Sequence, residues 1–266
     1  MTMAAGMAAG GLIPVVALYS TFFQRAYDQL LHDICLQRLP VVLAVDRAGI
    51  VGEDGETHQG IYDLGLLLPL PGLEIYCPPD YAGLRGILDY AVSAKRPVVI
   101  RYPRSREWPQ ALPQSAAKSW QSIRCLRPGC SVTIAALGVM AGPALQAADL
   151  LSARGVEADV LLITCAKPLD LETLIASVRR TGHLLFVEES LISGGLGQRT
   201  LPALLQALPE THFCLHGVYE QPICQGSREQ LLAVWRLNPE AIAEQAWLLL
   251  HPQSSINNSA DNRSDL

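Results

Sequence analysis

At 266 residues with a formal net charge of −5 and no Lys/Arg-rich patch, the chain has room for one large or two ordinary domains and carries no footprint for nucleic acid. Its residues are 50% hydrophobic but only 6% aromatic, the balance of buried parallel strands covered by Ala/Leu-rich helices. Seven cysteines, odd in number and without a CxxC pair, read as reduced, buried thiols of a cytoplasmic protein rather than a disulfide framework or a zinc site.

Residues 1–24 contain no charged side chain, which raises the question of a signal peptide or membrane span. No basic residue precedes the apolar part, and Gly6, Gly10, Gly11 and Pro14 interrupt it. A small-residue helix followed by a buried strand at Val15–Tyr19 is expected instead, with no membrane contact. Strand-like runs near 41–46, 73–77 and 98–102 then alternate with helical patterns near 21–38, 61–67 and 80–94. Such alternation predicts a parallel sheet covered on both faces. Residues 105–130 have little periodicity and read as a linker to a second unit. That unit opens with a strand at Val132–Leu137 and an Ala-rich helix near 141–154. Strands follow near 158–164, 183–188 and 213–218, with helices near 170–180, 197–207, 227–236 and 239–250. Polar residues 252–266 are expected to form a disordered tail. The predicted fold class is α/β, with two parallel-sheet domains at 1–104 and 131–251.

The stretch with the densest chemistry is Asp46-Arg47-Ala48-Gly49-Ile50-Val51-Gly52-Glu53-Asp54-Gly55-Glu56-Thr57-His58-Gln59-Gly60, directly after the run Val41–Val45. Its glycines let the backbone turn tightly and a ligand come close. Loops at the carboxyl ends of parallel strands are where α/β proteins bind small molecules. A solvated turn whose polar groups only cap the chain is the bland alternative.

The wording of that loop resembles the substrate loop of the 1-deoxy-D-xylulose-5-phosphate synthases, in the transketolase superfamily. Tyr19-Ser20-Thr21-Phe22-Phe23-Gln24-Arg25-Ala26-Tyr27-Asp28-Gln29 is similar to the family's YSTFLQRAYDQ. Arg101-Tyr102-Pro103-Arg104 matches its RYPRG, with Ser105 in place of the glycine. Lys167-Pro168-Leu169-Asp170 and Glu188-Glu189 followed by Gly194-Gly195-Leu196-Gly197 are similar to landmarks of its C-terminal domain.

The resemblance implies a transketolase-like pyrimidine-binding domain at 1–104 and a transketolase C-terminal domain at 131–251. It implies condensation of pyruvate with glyceraldehyde 3-phosphate on thiamine diphosphate, in isoprenoid (methylerythritol phosphate) and thiamine precursor synthesis, by a homodimer. Phe22 would stack on the aminopyrimidine, unless it is an ordinary core phenylalanine. Tyr19, Arg25, Arg47 and Arg101 would surround the acceptor substrate, Arg47 and Arg101 holding its phosphate, unless they form ordinary ion pairs. Asp54 and His58 would be catalytic, bonding the acceptor's hydroxyl and carbonyl, with His58 able to move a proton. The Lys167–Asp170 and Glu188-Glu189 motifs are expected to be structural, Pro168 in a strand-to-helix turn and Asp170 as a helix N-cap. Gly194–Gly197 reads as a tight turn before a helix, not a phosphate loop.

The family's activating glutamate would fall just upstream of Met1, and no GDG motif with a following metal-binding Asn occurs in 1–266. The Mg2+ ligands are therefore absent from this chain, which has no metal site of its own. The expectation is a fragment, or one subunit, of an enzyme whose N-terminal half lies elsewhere, inactive alone. The alternatives are the C-terminal subunit of a split transketolase, whose loop reads GEDGPTHQ, and a non-catalytic assembly partner.

Overall fold

The computed structural model describes residues 1–113 and 120–252. Helix α1 (Thr2–Ala9) buries Ala4, Ala5 and Ala8, and strand β1 (Val15–Tyr19) follows. The next helical stretch is broken into α2 (Ser20–Phe23), a 3₁₀ turn at Gln24–Ala26, α3 (Tyr27–Gln29) and a π turn at Leu30–Cys35. Then come β2 (Val42–Asp46), α4 (Asp63–Leu67), β3 (Glu74–Tyr76), α5 (Tyr81–Ser93) and β4 (Val98–Arg101). The second half runs β5 (Arg124–Arg127), β6 (Val132–Leu137), α6 (Ala141–Ser152), β7 (Ala158–Ile163) and β8 (Cys165–Lys167). It continues with α7 (Leu171–Thr181), β9 (His183–Leu191), α8 (Leu196–Ala207), β10 (His212–Val218), α9 (Arg228–Val234) and α10 (Pro239–Leu250).

Two five-stranded sheets result, ordered β1-β2-β4-β3-β8 and β10-β9-β6-β7-β5. Their inner strands are parallel and almost wholly buried, as strands covered on both faces must be. Each sheet ends on one antiparallel strand, β8 against β3 and β5 against β7. β8 belongs to the second half of the chain yet closes the first sheet. The apolar core is likewise shared: Leu43 and Ile75 lie in one cluster with Ala135, Ile163 and Phe186.

Four expectations need correction. β1 is the edge of its sheet rather than a buried strand, and Val15 is half exposed. The sheets are not purely parallel. The helix expected at 21–38 is interrupted and ends earlier. The span read as a linker already contains β5, which pairs with β7 through Arg124, Cys125 and Arg127. The crossing chain is also fastened to the helices: a Cβ on Gly142 would lie 2.3 Å from Trp108, and one on Gly86 would lie 2.4 Å from Trp120. Only glycine lets an indole rest against those helix backbones. Residues 114–119 and most of the expected tail, 253–266, lie outside the described residues.

The C-terminal motifs behave as expected in part. Asp170 caps α7, its carboxylate accepting from the Thr173 amide at 3.1 Å, and Pro168 turns the chain there. Gly194 has φ +78° in the turn before α8. Buried Glu188 accepts from the amides of Leu196 (2.9 Å) and Gly197 (3.0 Å) and from Ser190 Oγ, satisfying the first turn of α8. Glu189 points elsewhere, toward the first unit.

Candidate active site

The register of the first sheet gathers the site. Tyr19 pairs with Asp46 and Val45 with Arg101, so the carboxyl ends of β1, β2 and β4 lie side by side. Loop 46–60 leaves β2 there and returns on itself. Gly49 and Gly60 exchange both backbone hydrogen bonds (2.7 and 2.8 Å), closing its neck. Gly60 sits so close to the opposite strand that a Cβ would lie 2.0 Å from the Arg47 carbonyl. The Ala48 amide bonds Tyr102 O at 3.0 Å, tying the loop to the end of β4.

One face of this loop is open and carries most of the candidate residues. Arg47 takes the left-handed backbone (φ 57°), its amide donating to Asp46 Oδ1 at 2.6 Å. Its guanidinium lies 4.0 Å over the Tyr19 ring and donates to Asp54 Oδ2. The other oxygen of Asp54 accepts from Arg104 Nη1 at 2.8 Å. One carboxylate is thus held in a fork of two guanidiniums, with Arg104 54% exposed. Phe22, 38% exposed, stacks on Tyr19 at 5.8 Å and meets the His58 ring edge-on at 5.5 Å. Arg25 lies 5.4 Å from the Phe22 ring centre, and Thr21 Oγ1 donates to Thr57 O at 2.8 Å, joining α2 to the loop. Tyr19, Phe22, Arg25, Arg47, Asp54 and His58 are therefore brought together.

Arg101 is not on that face. It is buried, its Nε donating to both oxygens of Asp63 (3.0 and 2.8 Å) and its Nη2 to the carbonyls of Gly60 (3.3 Å) and Glu189 (2.9 Å). Burial is the largest single influence and lowers its pKa, but Asp63, Cys77 and Glu189 together more than offset it, and the guanidinium stays charged. A guanidinium so occupied is a strut under the loop, and the phosphate role expected for Arg101 does not match its place. Arg104, three residues on in the same motif, projects where Arg101 was expected. Sequence reasoning passed over it because both arginines sit in one RYPR match, and only burial tells them apart.

Glu189 and Arg228 were also missed as neighbours of the site. Glu189 Oε1 accepts from the Ile50 amide at 2.6 Å, and Arg228 bonds both Glu189 oxygens and the Ile50 carbonyl. Gln225 Nε2 donates to Glu53 O at 3.0 Å. The second unit thus backs the loop directly. Among the described residues no three His, Cys, Asp or Glu side chains converge to hold a metal ion, and no helix is long and apolar enough to cross a membrane.

Comparison with known proteins matches residues 1–107 to the transketolase pyrimidine-binding domain and residues 121–242 to the transketolase C-terminal domain. The chain is 42% identical to 1-deoxy-D-xylulose-5-phosphate synthases of Gloeobacter violaceus and Desulforudis audaxviator over 92% of its own length, but spans only 39% of theirs. Among solved structures, a split-gene transketolase described as an inactive β4 tetramer superposes with a TM-score of 0.81 at 30% identity, covering 93% of this chain and 80% of that one. A transketolase mutant from Pichia stipitis, 19% identical, shares the fold with a TM-score of 0.71 over 89% of this chain and 34% of that one. With both of its domain models matched in order on two interlocked α/β sheets, the chain belongs to the transketolase family.

Proposed function

We propose that the chain is the aminopyrimidine- and acceptor-binding portion of a 1-deoxy-D-xylulose-5-phosphate synthase, joining pyruvate to glyceraldehyde 3-phosphate. The observation that carries this reading is the fork of Arg47 and Arg104 on the Asp54 carboxylate, beside the exposed Phe22 ring and His58. Greater identity to the synthases than to the split transketolase supports it.

The donor set fits one end of thiamine diphosphate. The exposed Phe22 ring offers a flat apolar face for an aminopyrimidine, while the metal and diphosphate end finds no matching carboxylate cluster among the described residues. When bound, the cofactor supplies the ylid that stabilises a carbanion. This chain's residues do the rest by placement. Phe22 would hold and orient the aminopyrimidine against its exposed ring face, with Tyr19 and Arg25 bracing that ring. Arg47 and Arg104 take the acceptor's phosphate, which displaces the Asp54 carboxylate from a fork already shaped for an oxyanion. Asp54, released, accepts a hydrogen bond from the acceptor's hydroxyl. His58 donates to the aldehyde oxygen and delivers the proton that the new alkoxide needs. The Mg2+ and diphosphate site comes from the remainder of a longer protein or from a separate subunit.

A second reading, the β-type subunit of a split transketolase, is favoured by the TM-score of 0.81 to the split-gene protein. Both are tested by mixing the purified chain with the N-terminal portion of the Gloeobacter violaceus synthase. Formation of 1-deoxy-D-xylulose 5-phosphate from pyruvate and glyceraldehyde 3-phosphate by the mixture, and not by either part, is expected. Ketol transfer between xylulose 5-phosphate and ribose 5-phosphate without that product establishes the second reading. Synthase turnover by the 266-residue chain alone overturns the two-part reading.

A further inference from the structure

We propose that Glu189 and Arg228 are positioning residues that hold loop 46–60 in its binding-competent shape from the second unit. The inference rests on the reading of that loop as the acceptor site. Ile50 is fully buried, and both polar groups of its backbone end on this pair: the amide on Glu189 Oε1 at 2.6 Å, the carbonyl on Arg228. Arg228 also forks onto the two Glu189 oxygens, so the acceptor and donor are each locked by the other.

The loop is shaped to admit them. Gly49 (φ +80°) would place a Cβ 2.6 Å from the Glu189 carboxylate, and Gly52 (φ +72°) one 2.8 Å from the Arg228 amide nitrogen. Any side chain at either point would push the loop off its support. Arg47 lies on one side of the clamped segment, and Asp54 and His58 on the other. Fixing Ile50 therefore fixes where the fork and the imidazole stand relative to Phe22. The main chain of Glu189 also receives Arg101, which joins the loop's neck at Gly60 to the same support. Neither Glu189 nor Arg228 touches the open face, so they act through the loop and not on a ligand.

The test is hydrogen exchange of the full 266-residue chain, with glyceraldehyde 3-phosphate binding measured by calorimetry on the same samples. In Arg228→Met, amides of 50–58 should exchange about tenfold faster while those of β6 and β7 keep wild-type protection. Affinity for glyceraldehyde 3-phosphate should fall about tenfold, and Arg228→Lys, which keeps the charge but lacks the fork, should recover part of both. Equal acceleration in loop and β7 would mean the pair only stabilises the fold. Unchanged loop exchange, or faster exchange with unchanged affinity, overturns the proposal. If Arg228→Met does not fold, Glu189→Gln and Arg228→Lys carry the same comparison. If the wild-type chain itself binds no glyceraldehyde 3-phosphate, the acceptor-site reading falls, and the exchange data decide separately whether the pair orders the loop.

Discussion

The two faces of loop 46–60 are built from the same chemistry and differ in their water. On the open face, Arg47 and Arg104 meet Asp54, with Arg104 half exposed. On the inner face, Arg101 meets Asp63 and Arg228 meets Glu189, with both carboxylates almost wholly buried. Only the Arg104 arm of that fork stands half in water, where an arginine–carboxylate pair gains little by staying closed and a ligand anion can open it; Arg47 and Asp54 are mostly covered. A buried pair opened by any means leaves a charge without solvent, and is held shut by that penalty. The loop is thus fixed on its inner side, while on its outer side the Arg104 arm stays open to water.

The largest expected effect comes from breaking the inner face. Arg101→Ala should lower stability by about 3–5 kcal/mol, because Asp63 is left buried and unpaired. Arg104→Ala should cost no more than about 1 kcal/mol. Urea denaturation of the two variants side by side measures the contrast, and similar losses for both would erase it.

Next come the consequences on the open face. In the two-part assembly, Arg47→Ala or Arg104→Ala removes a charge-assisted contact of about 1.5–3 kcal/mol. The Michaelis constant for glyceraldehyde 3-phosphate should rise about ten- to a hundredfold. That for pyruvate should change far less, and unphosphorylated glyceraldehyde should barely notice. Equal losses for both aldehydes would mean that these arginines too are scaffolding.

A smaller change is expected at the aromatic platform. Phe22→Ala removes an offset π contact of about 0.5–1.5 kcal/mol, so thiamine diphosphate affinity in the assembly should weaken by less than about tenfold. Phe22→Tyr should restore it; an unaltered affinity in the alanine variant would mean that the exposed Phe22 ring takes no part in cofactor binding.

The smallest effect concerns a buried titrating group. Burial holds His216 below its ordinary value of 6.5, against the 2.6 Å bond to Arg236 O that pulls it up. Below pH 6.5 the unfolded chain binds the proton more readily than the folded one. The contribution of His216 is therefore complete above that pH and lost as pH falls toward its folded value. The urea midpoint of wild type should drop more between pH 7.5 and 5.5 than that of His216→Asn. Parallel slopes would count against burial as the cause.

Much of this was readable from the residues. The apolar runs at 42–46 and 132–137 announce strands because a parallel sheet buries them on two sides, while the run at 15–19 announced a strand but not that it would be an edge. Arg124–Arg127 and Cys165–Lys167 stayed hidden because antiparallel edge strands this short and mixed carry no such run. The loop glycines and the family motif pointed to one place, and Tyr19, Phe22, Arg25, Arg47, Asp54 and His58 do lie together there. Arg101 and Arg104 could not be ranked, since three residues of spacing along a strand end decide which guanidinium meets water. Glu189 could not be told from Glu188 either: alternation along β9 sends one to α8 and the other across to Ile50.

Strand β8 bears on how such a protein can be cut and joined. It pairs Lys167 with Ile75 and Cys165 with Tyr76, so a piece inherited with the C-terminal domain finishes the sheet of its neighbour. A chimera spliced anywhere between residues 107 and 121 would import a relative's edge strand along with the relative's domain. Recombination can then shuffle these modules only between lineages that have kept a matching seam at β3. Expressed without its lender, the first module would present the bare flank of β3 to any passing strand.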